Sequence, residues 1–221
     1  MDLEKQNAAN AAVKMILQHD VVGLGTGSTA YFAIAAIADL VKNGLKIKAV
    51  ATSKKTESLA VSMGIELLNI EDVQYIDITI DGADEFNEQL QLIKGGGGAL
   101  FREKIVASLS KKEIIIADSA KKVDQLGKFK VPIEVVPLAS SYVKEQLKRL
   151  DGISELRKDG DSLYRTDNGN YILDADFGLF TDAAVLAERL NQIEGILAHG
   201  LFINLSTMVI MGKGSEVITY Q

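Results

Sequence analysis

Short β-branched runs alternate with helical patterns of apolar residues through the first half of the chain. This alternation is typical of a parallel β-sheet covered by helices, which places the fold in the α/β class. The pattern predicts five strands with helices between them, at Val21–Gly25, Ile47–Thr52, Ile65–Asn69, Tyr75–Asp81 and Glu113–Asp118. Every strand except the third ends in a polar or glycine-rich loop. Because ligands bind at the carboxyl ends of such strands, we expect these four loops to share one crevice.

The pattern changes near Val131, where the only two prolines of the chain, Pro132 and Pro137, follow a lysine-rich link. Beyond them, two helical patterns accompany three short strand patterns that are separated by DGD and DNGN turns. This arrangement predicts a small α+β domain over residues 131–197. We expect it to be inserted into a large domain formed by residues 1–130 and 198–221, whose sheet receives the last strands of the chain.

Composition narrows the possible functions. The net charge of −6 argues against nucleic acid as a partner, because binding to the phosphate backbone needs clustered Lys and Arg. The chain has no cysteine, and its two histidines, His19 and His199, lie far apart. We therefore expect neither a zinc site nor a Ser-His-Asp triad. No signal-peptide pattern or membrane-spanning run is present, so we expect a cytoplasmic protein with no membrane partner.

The loop GLGTGSTA after the first strand is the first candidate ligand site. Its glycines allow a ligand to approach the backbone, and a helix predicted to begin near Thr29 offers N–H groups to a phosphate. Thr26, Ser28 and Thr29 add hydroxyl donors. Ser28 occupies the position at which a dinucleotide-binding G-x-G-x-x-G motif needs its third glycine, so that function is not indicated. A glycine turn followed by a Ser or Thr N-cap is the alternative interpretation.

Two aspartates follow the fourth predicted strand in the motif DGADE. Asp81 ends the strand, and Asp84 lies three residues later, beyond Gly82 and Ala83. Carboxylates at a strand end bind sugar hydroxyls, hold metals or transfer protons, whereas aspartates in a simple turn bond their own backbone. A metal is the weaker functional option, since no further carboxylate or histidine cluster completes a coordination shell.

The motif KGGGGALFREK joins a lysine, four glycines and a helical pattern. Gly95–Gly98 offer N–H groups with no side chains in the way, and Lys94 adds a cation, so together they are suited to stabilise an oxyanion. A flexible linker is the commoner meaning of such a run. In a helix that begins near Ala99, Glu103 falls on the apolar side. Burial disfavours the charged form of a carboxylate, which suits Glu103 to act as a general base.

The same helical spacing places Lys104 on one side of the helix with Ser108 and Lys111, where we expect it to be solvated. The alternative for Glu103 is an ion pair with Arg102 or Lys104 at the rim of an amphipathic helix. The adjacent glycine run favours the general base. Lys121, after the fifth strand, is placed to reach an anionic ligand in the same crevice. The alternative is that Lys121 and Lys122 are ordinary solvent-exposed lysines, as a lysine pair after a strand commonly is.

The motifs GLGTGSTA, DGADE, KGGGGA with REK after it, DSAKKVD and TDNGN occur together in one order, and through them the chain resembles the ribose-5-phosphate isomerases of the A type. The resemblance implies a Rossmann-like large domain, a smaller α+β domain and a homo-oligomer, with a dimer as the first choice. It also implies interconversion of ribose 5-phosphate and ribulose 5-phosphate in the pentose phosphate pathway, without cofactor or metal. The partner is then a small sugar phosphate.

The resemblance also assigns roles to residues. It implies that Glu103 accepts a proton on the way to an enediolate, that Lys94 and the glycine amides stabilise the oxyanion, and that Asp81 or Asp84 assists ring opening. The substrate-binding positions that it implies are Thr26, Gly27, Ser28, Thr29, Asp81, Gly82, Ala83, Asp84, Lys94, Gly95, Gly96, Gly97 and Lys121.

Two other functions have to be weighed against this one. A non-catalytic sugar-phosphate sensor needs a DNA-binding module, and the acidic chain shows no basic recognition helix. An aminosugar-phosphate deaminase or a lactonase more often uses a histidine, and neither histidine lies in a candidate loop. Both comparisons favour the isomerase.

Overall fold

The computed structural model describes residues 1–221. The helices are α1 (Asp2–Val13), α2 (Ser28–Lys42), α3 (Lys54–Ser62), α4 (Leu100–Leu109), α5 (Ser140–Lys148) and α6 (Ala183–Asn191). The strands are β1 (Val21–Leu24), β2 (Lys48–Ala51), β3 (Ile78–Gly82), β4 (Glu85–Phe86), β5 (Leu92–Ile93), β6 (Glu113–Asp118), β7 (Val131–Val135), β8 (Ile153–Leu156), β9 (Lys158–Asp159), β10 (Ser162–Leu163), β11 (Tyr171–Asp176), β12 (Ile196–His199), β13 (Leu201–Phe202), β14 (Met208–Lys213) and β15 (Glu216–Tyr220). The chain forms two compact units, one of residues 1–83, 102–122 and 204–221 and one of residues 84–101 and 123–203.

A six-stranded sheet organises the first unit, in the order β15-β14-β6-β3-β1-β2. Neighbouring strands are parallel except in the β14–β15 hairpin. Successive strands are added on opposite sides of β1, so the strand order reverses between β1 and β3. In open α/β sheets ligands bind at the carboxyl edge beside such a reversal. The residues that follow Leu24 and Ile80 therefore lie where the fold favours a ligand.

The core of the first unit is aliphatic and contains many small residues. β6 is buried along its whole length, as expected for the central strand of a parallel sheet. The buried face of α1 consists mainly of alanines, which allows this helix to approach the sheet closely. A Cβ atom added to Gly212 of β14 would collide with the carbonyl oxygen of Glu4. The position of α1 on the sheet is therefore fixed by close backbone packing.

Antiparallel strands build the second unit. One sheet has the order β12-β7-β11-β8, and a smaller one has the order β13-β5-β4. On one face of the larger sheet, Ile133 and Leu173 pack with side chains of α5 and α6, among them Leu147 and Leu190. The smaller sheet matters for the site because β5 leads directly into Lys94 and the glycine run.

The structure confirms the α/β class and the return of the last strands to the sheet of the first unit. One predicted strand is absent, because Ile65–Asn69 contributes only an isolated parallel bridge between Leu67 and Ala49. The units also divide the chain differently from the predicted domains, since residues 84–101, 123–130 and 198–203 fall in the second unit. None of the helices has the length and hydropathy that crossing a bilayer requires.

Candidate functional site

The loop after β1 is shaped from inside by a cluster of hydroxyl groups. Thr26 Oγ1 lies 2.7 Å from Thr52 Oγ1, 2.8 Å from Ser53 Oγ and 3.2 Å from Thr56 Oγ1. These contacts join the loops after β1 and β2 at the carboxyl edge of the sheet. The hydroxyl of Thr26, which we expected to be a ligand donor, instead bonds within the protein.

Asp81, near the end of β3, lies directly beside the same loop. Its carboxylate accepts hydrogen bonds from the backbone N–H groups of Thr26, at 3.0 Å, and Gly82, at 2.7 Å. The side chain is almost completely buried, and charge-assisted hydrogen bonds of this kind stabilise a buried carboxylate. A Cβ atom at Gly25 would lie 2.5 Å from the Cα atom of Asp81. The lack of a side chain at Gly25 therefore allows the loops after β1 and β3 to meet.

The N-terminus of α2 lies next to an ammonium group. The helix begins at Ser28, its N-cap is Gly27 with a φ of 113°, and no side chain caps it. Its first N–H groups are therefore available, and the helix dipole adds partial positive charge. Lys5 of α1 donates from Nζ to Ser28 Oγ at 3.1 Å, with its side chain only 15% exposed. An uncapped helix end beside a hydroxyl and a cation favours phosphate binding.

Glu103 occupies the buried face of α4, in its first turns. It is only 4% exposed and shares that face with Val106 and Ala107, which are also buried. This confirms the predicted inward direction of the carboxylate, and the predicted helix start near Ala99 agrees with the observed start at Leu100 to within one residue. A carboxylate in such surroundings has the environment that general bases use.

Lys104 differs from the expectation of a solvated side chain. It is partly buried, and burial lowers the pKa of its ammonium group from 10.5 to about 8. The cause is desolvation, which disfavours the charged form. The helical pattern placed Lys104 on the side of Ser108 and Lys111 but gave no information on what covers that side of α4.

We expect the free energy of unfolding to increase with pH between about 8 and 10.5 through Lys104. In that window the unfolded chain still binds the proton that the folded chain has lost, so rising pH favours folding. The Lys104→Met variant should show a smaller increase in urea-unfolding experiments at about pH 7 and about pH 9. Replacement of the exposed Lys55 by methionine is the control and should leave the pH dependence as in the wild type. An unchanged pH dependence in Lys104→Met would contradict the lowered pKa.

Lys94 directly follows β5 in the second unit. It is one of the few buried charged residues, with 2% of its surface exposed. Its backbone N–H donates to the carbonyl of Gly200 at 2.9 Å, and its Nζ lies 5.4 Å from the centre of the Phe202 ring. Contact with the ring face stabilises the ammonium charge. The cation is therefore held in place by the β5–β13 pairing and by its aromatic neighbour.

Asp84 and the glycine run form a compact group in the second unit. Asp84 accepts a hydrogen bond from the N–H of Gly96 at 2.7 Å, and a Cβ atom at Gly96 would lie 2.6 Å from Asp84 Oδ1. The N–H of Gly98 donates to the carbonyl of Gly95 at 2.9 Å. The run is therefore an ordered turn rather than a flexible linker. Gly97 is exposed in this turn.

The other predicted positions lie in the first unit. Gly82 and Ala83 are half-buried after β3, and Gly82 faces Thr29. Lys121 is half-buried in the short 3₁₀ turn Ser119–Lys121 after β6. No cluster of three or more His, Asp or Glu side chains that is suited to hold a metal ion occurs in residues 1–221.

Sequence reasoning did not identify Lys5. This residue is 23 positions away from Ser28, it belongs to no motif, and its neighbours are ordinary helical residues. Only the packing of α1 on the sheet brings it to the N-terminus of α2. The proximity is a consequence of tertiary structure that no local pattern predicts.

Comparisons with known proteins identify the family to which the chain is similar. The family model described as ribose 5-phosphate isomerase A (phosphoriboisomerase A) matches residues 48–216. A ribose-5-phosphate isomerase A from Sphingopyxis alaskensis is 45% identical over 214 residues, which cover 97% of this chain and 94% of the relative.

Two solved structures give the same result at the level of the fold. A ribose 5-phosphate isomerase from Plasmodium falciparum has a TM-score of 0.94 and 38% identity, covering 99% of this chain and 98% of its own. A D-ribose-5-phosphate isomerase in complex with phospho-erythronic acid also has a TM-score of 0.94, with 37% identity and coverage of 97% and 96%. Because the similarity extends over nearly the whole chain, this protein belongs to the ribose 5-phosphate isomerase A family.

Proposed function

We propose that this protein interconverts D-ribose 5-phosphate and D-ribulose 5-phosphate through an enediolate, with Glu103 as the general base. The observation that supports this most is the buried carboxylate of Glu103 on the helix that directly follows Lys94 and the glycine run. The relatives named above are isomerases of this sugar phosphate. Members of such a family need a base that moves a proton between adjacent carbons, and Glu103 has the required environment.

The chemical steps follow from these groups. After the sugar ring opens, Glu103 removes the proton from C2 of the aldose. The electrons of that C–H bond form a C1–C2 double bond, and the electrons of the C1 carbonyl move to its oxygen. Return of the proton to C1, with transfer of the O2 proton to O1, yields the ketose. Lys94 and the N–H of Gly97 stabilise the negative oxygen, and electrostatic stabilisation of this kind is usually the largest single contribution to catalysis.

The two aspartates take different parts in this proposal. Asp81 is almost completely buried and bonded to two backbone N–H groups, so it holds the loop after β1 in place. Asp84 is more exposed and is bonded to the N–H of Gly96. We assign ring opening and proton exchange between the sugar oxygens to Asp84, because its carboxylate is the more accessible of the two.

The phosphate group is assigned to the N-terminus of α2. The helix end, the Ser28 and Thr29 hydroxyls and the ammonium of Lys5 supply donors and positive charge within the first unit. Lys121 is the second cation of this proposal. Partial burial of Lys5 strengthens its attraction to an anion, because the surroundings screen the charge less than water does.

Replacement of Lys5 by glutamine is expected to raise the KM for ribose 5-phosphate about tenfold and to leave kcat within about threefold. The phosphate is not part of the reacting centre, so the lost charge weakens ground-state and transition-state binding alike. Steady-state kinetics measure both constants. Lys14→Gln, at the exposed end of the same helix, is the matched control and should behave as the wild type. A Lys5→Gln variant with an unchanged KM would remove Lys5 from the phosphate site.

The proposed function is tested by incubating the purified, EDTA-treated protein with ribose 5-phosphate and measuring the ribulose 5-phosphate that forms. Formation of the ketose would support the isomerase. Saturable binding of ribose 5-phosphate without conversion would instead identify a sugar-phosphate sensor, which is the main competing function. Conversion that EDTA abolishes and an added divalent cation restores would contradict the metal-free mechanism.

The oligomeric state of the enzyme, its location and its pathway are also proposals. We propose a homo-oligomer, with a dimer as the first choice, that acts in the cytoplasm in the non-oxidative branch of the pentose phosphate pathway. Support for self-association comes from large apolar side chains on the second unit, since Leu138 is 97% and Ile153 is 77% exposed, and exposed apolar groups often mark interfaces. Sedimentation equilibrium would determine the number of subunits.

A further inference from the structure

Arg157 holds two consecutive peptide groups of the glycine run. It lies between β8 and β9, and its Nη1 donates to the carbonyl oxygens of Gly95, at 3.1 Å, and Gly96, at 3.0 Å. The other side of its guanidinium group meets Asp174 of β11, to which Nε donates at 2.9 Å while Nη2 bonds the second carboxylate oxygen. Only 14% of the side chain is exposed. Arg157 therefore connects the sheet of the second unit to the backbone of the run.

Because the peptide bond is planar, holding a carbonyl of the run also fixes the direction of the N–H group that follows it. In a trans peptide the carbonyl of one residue and the N–H of the next point in opposite directions, and the chain has no cis peptide bond. The carbonyl of Gly95 bonded to Arg157 therefore directs the N–H of Gly96 away from it, toward Asp84, where the 2.7 Å hydrogen bond is found. By the same rule, the carbonyl of Gly96, which is also bonded to Arg157, directs the N–H of Gly97 away from Arg157.

We propose that Arg157 is a positioning residue for the isomerisation, because it orients the N–H of Gly96 that holds Asp84 and the N–H of Gly97 that stabilises the oxyanion. This inference rests on the proposed function for its catalytic consequence. Donors that are fixed before the reaction stabilise a developing charge without a cost of reorganisation. Arg157 touches no reacting atom in this scheme and acts through the backbone alone.

Asp174 and Tyr164 also help to hold Arg157 and the glycine run in place. Asp174 binds the guanidinium group with both oxygens, a geometry that fixes the plane of an arginine. Tyr164 donates from its hydroxyl to the carbonyl of Gly97 at 3.3 Å, and its ring centre lies 5.7 Å from the Arg157 guanidinium carbon. Arg157 and Tyr164 therefore bond the carbonyls of three successive residues of the run. A lysine at position 157 cannot reproduce the fork, because a single ammonium group cannot face two carbonyls and a bidentate carboxylate.

The test compares Arg157→Gln and Arg157→Lys with Arg165→Gln. Arg165 belongs to the same unit and also donates to a backbone carbonyl, that of Gly169 at 2.8 Å, but it does not touch the glycine run. We expect kcat to fall about thirtyfold in Arg157→Gln, with KM within about threefold, and Arg157→Lys to recover only a small part of the loss. Arg165→Gln should keep kcat. A kcat of Arg157→Gln within twofold of the wild type would overturn the proposal.

A second readout separates positioning from simple loss of stability. We expect the Gly96 amide to exchange with solvent about tenfold faster in Arg157→Gln, as measured by NMR, and at the wild-type rate in Arg165→Gln. The inhibition constant of phospho-erythronic acid, which a related isomerase binds, should rise more than KM, because its carboxylate carries negative oxygens as the enediolate does. Equal losses of kcat and melting temperature in both Arg157→Gln and Arg165→Gln would show a structural role only. If the wild type does not isomerise ribose 5-phosphate, the proposed function fails, and the exchange rate of Gly96 alone decides whether Arg157 orients the run.

Discussion

Replacement of Glu103 by glutamine is expected to lower kcat for ribose 5-phosphate about a thousandfold. Glutamine has nearly the same shape but cannot accept the C2 proton, so the enediolate forms only through much weaker bases. The buried position of residue 103 favours a neutral amide at least as well as a carboxylate, and the fold should therefore be kept. We expect KM to change by no more than about threefold, because the group acts in the transition state.

Glu57 provides the matched control for this prediction. It is an exposed glutamate in the first turn of α3, and Glu57→Gln should keep wild-type kcat and KM. Steady-state kinetics and thermal unfolding of both variants separate a catalytic effect from a loss of structure. A Glu103→Gln variant that is folded and retains more than about a tenth of the wild-type kcat would exclude Glu103 as the general base.

Replacement of Gly25 by alanine is expected to destabilise the protein by about 3 kcal/mol and to lower kcat about a hundredfold. The added Cβ atom would lie 2.5 Å from the Cα atom of Asp81, so the backbone at the ends of β1 and β3 would have to separate. This movement breaks the hydrogen bond between the N–H of Thr26 and Asp81. The loop after β1 and the start of α2 would shift with it.

Gly44→Ala separates crowding from backbone strain. Gly44 follows α2 with a φ of 102° and has open space around it, so an alanine there is strained but meets no neighbour. We expect a loss of about 1 kcal/mol with unchanged kcat. Urea unfolding and steady-state kinetics measure both effects. If Gly25→Ala were no more destabilising than Gly44→Ala, the close approach of β1 and β3 would not be important for the site.

Hydrophobic pattern predicted the regular part of the fold well. β6 has the predicted bounds Glu113–Asp118, and the four loops lie at one edge of the sheet because parallel strands end on the same side. The two-residue strands β4 and β5 were not predicted, since two residues carry no periodicity. Residues 65–69 have the composition of a strand but pair with β2 only at the bridge between Leu67 and Ala49. The residues at which one unit ends and the other begins also depend on pairing between distant parts of the chain, which the pattern does not show.

The candidate site was predictable where chemistry and local structure coincide. The inward side of Glu103 follows from helical spacing alone, and its burial agrees with it. Lys5 and Arg157 were not predictable, because tertiary packing alone brings them to Ser28 and to the glycine run. The hydroxyl of Thr26 was expected to face a ligand, but the loop after β2 supplies the partners that turn it inward. Sequence patterns identify residues with suitable chemistry and leave long-range partners undetermined.

The central claim is proton transfer through an enediolate by Glu103, and conversion of ribose 5-phosphate in D₂O tests it most directly. A proton held by a glutamate exchanges with solvent between its removal from C2 and its return to C1. We predict that NMR will show deuterium at C1 of the ribulose 5-phosphate formed by the wild type, and that Glu103→Gln will form almost no product. Full conversion by Glu103→Gln, with no deuterium at C1 in the product of either protein, would indicate direct hydrogen transfer between the carbons and would contradict the account.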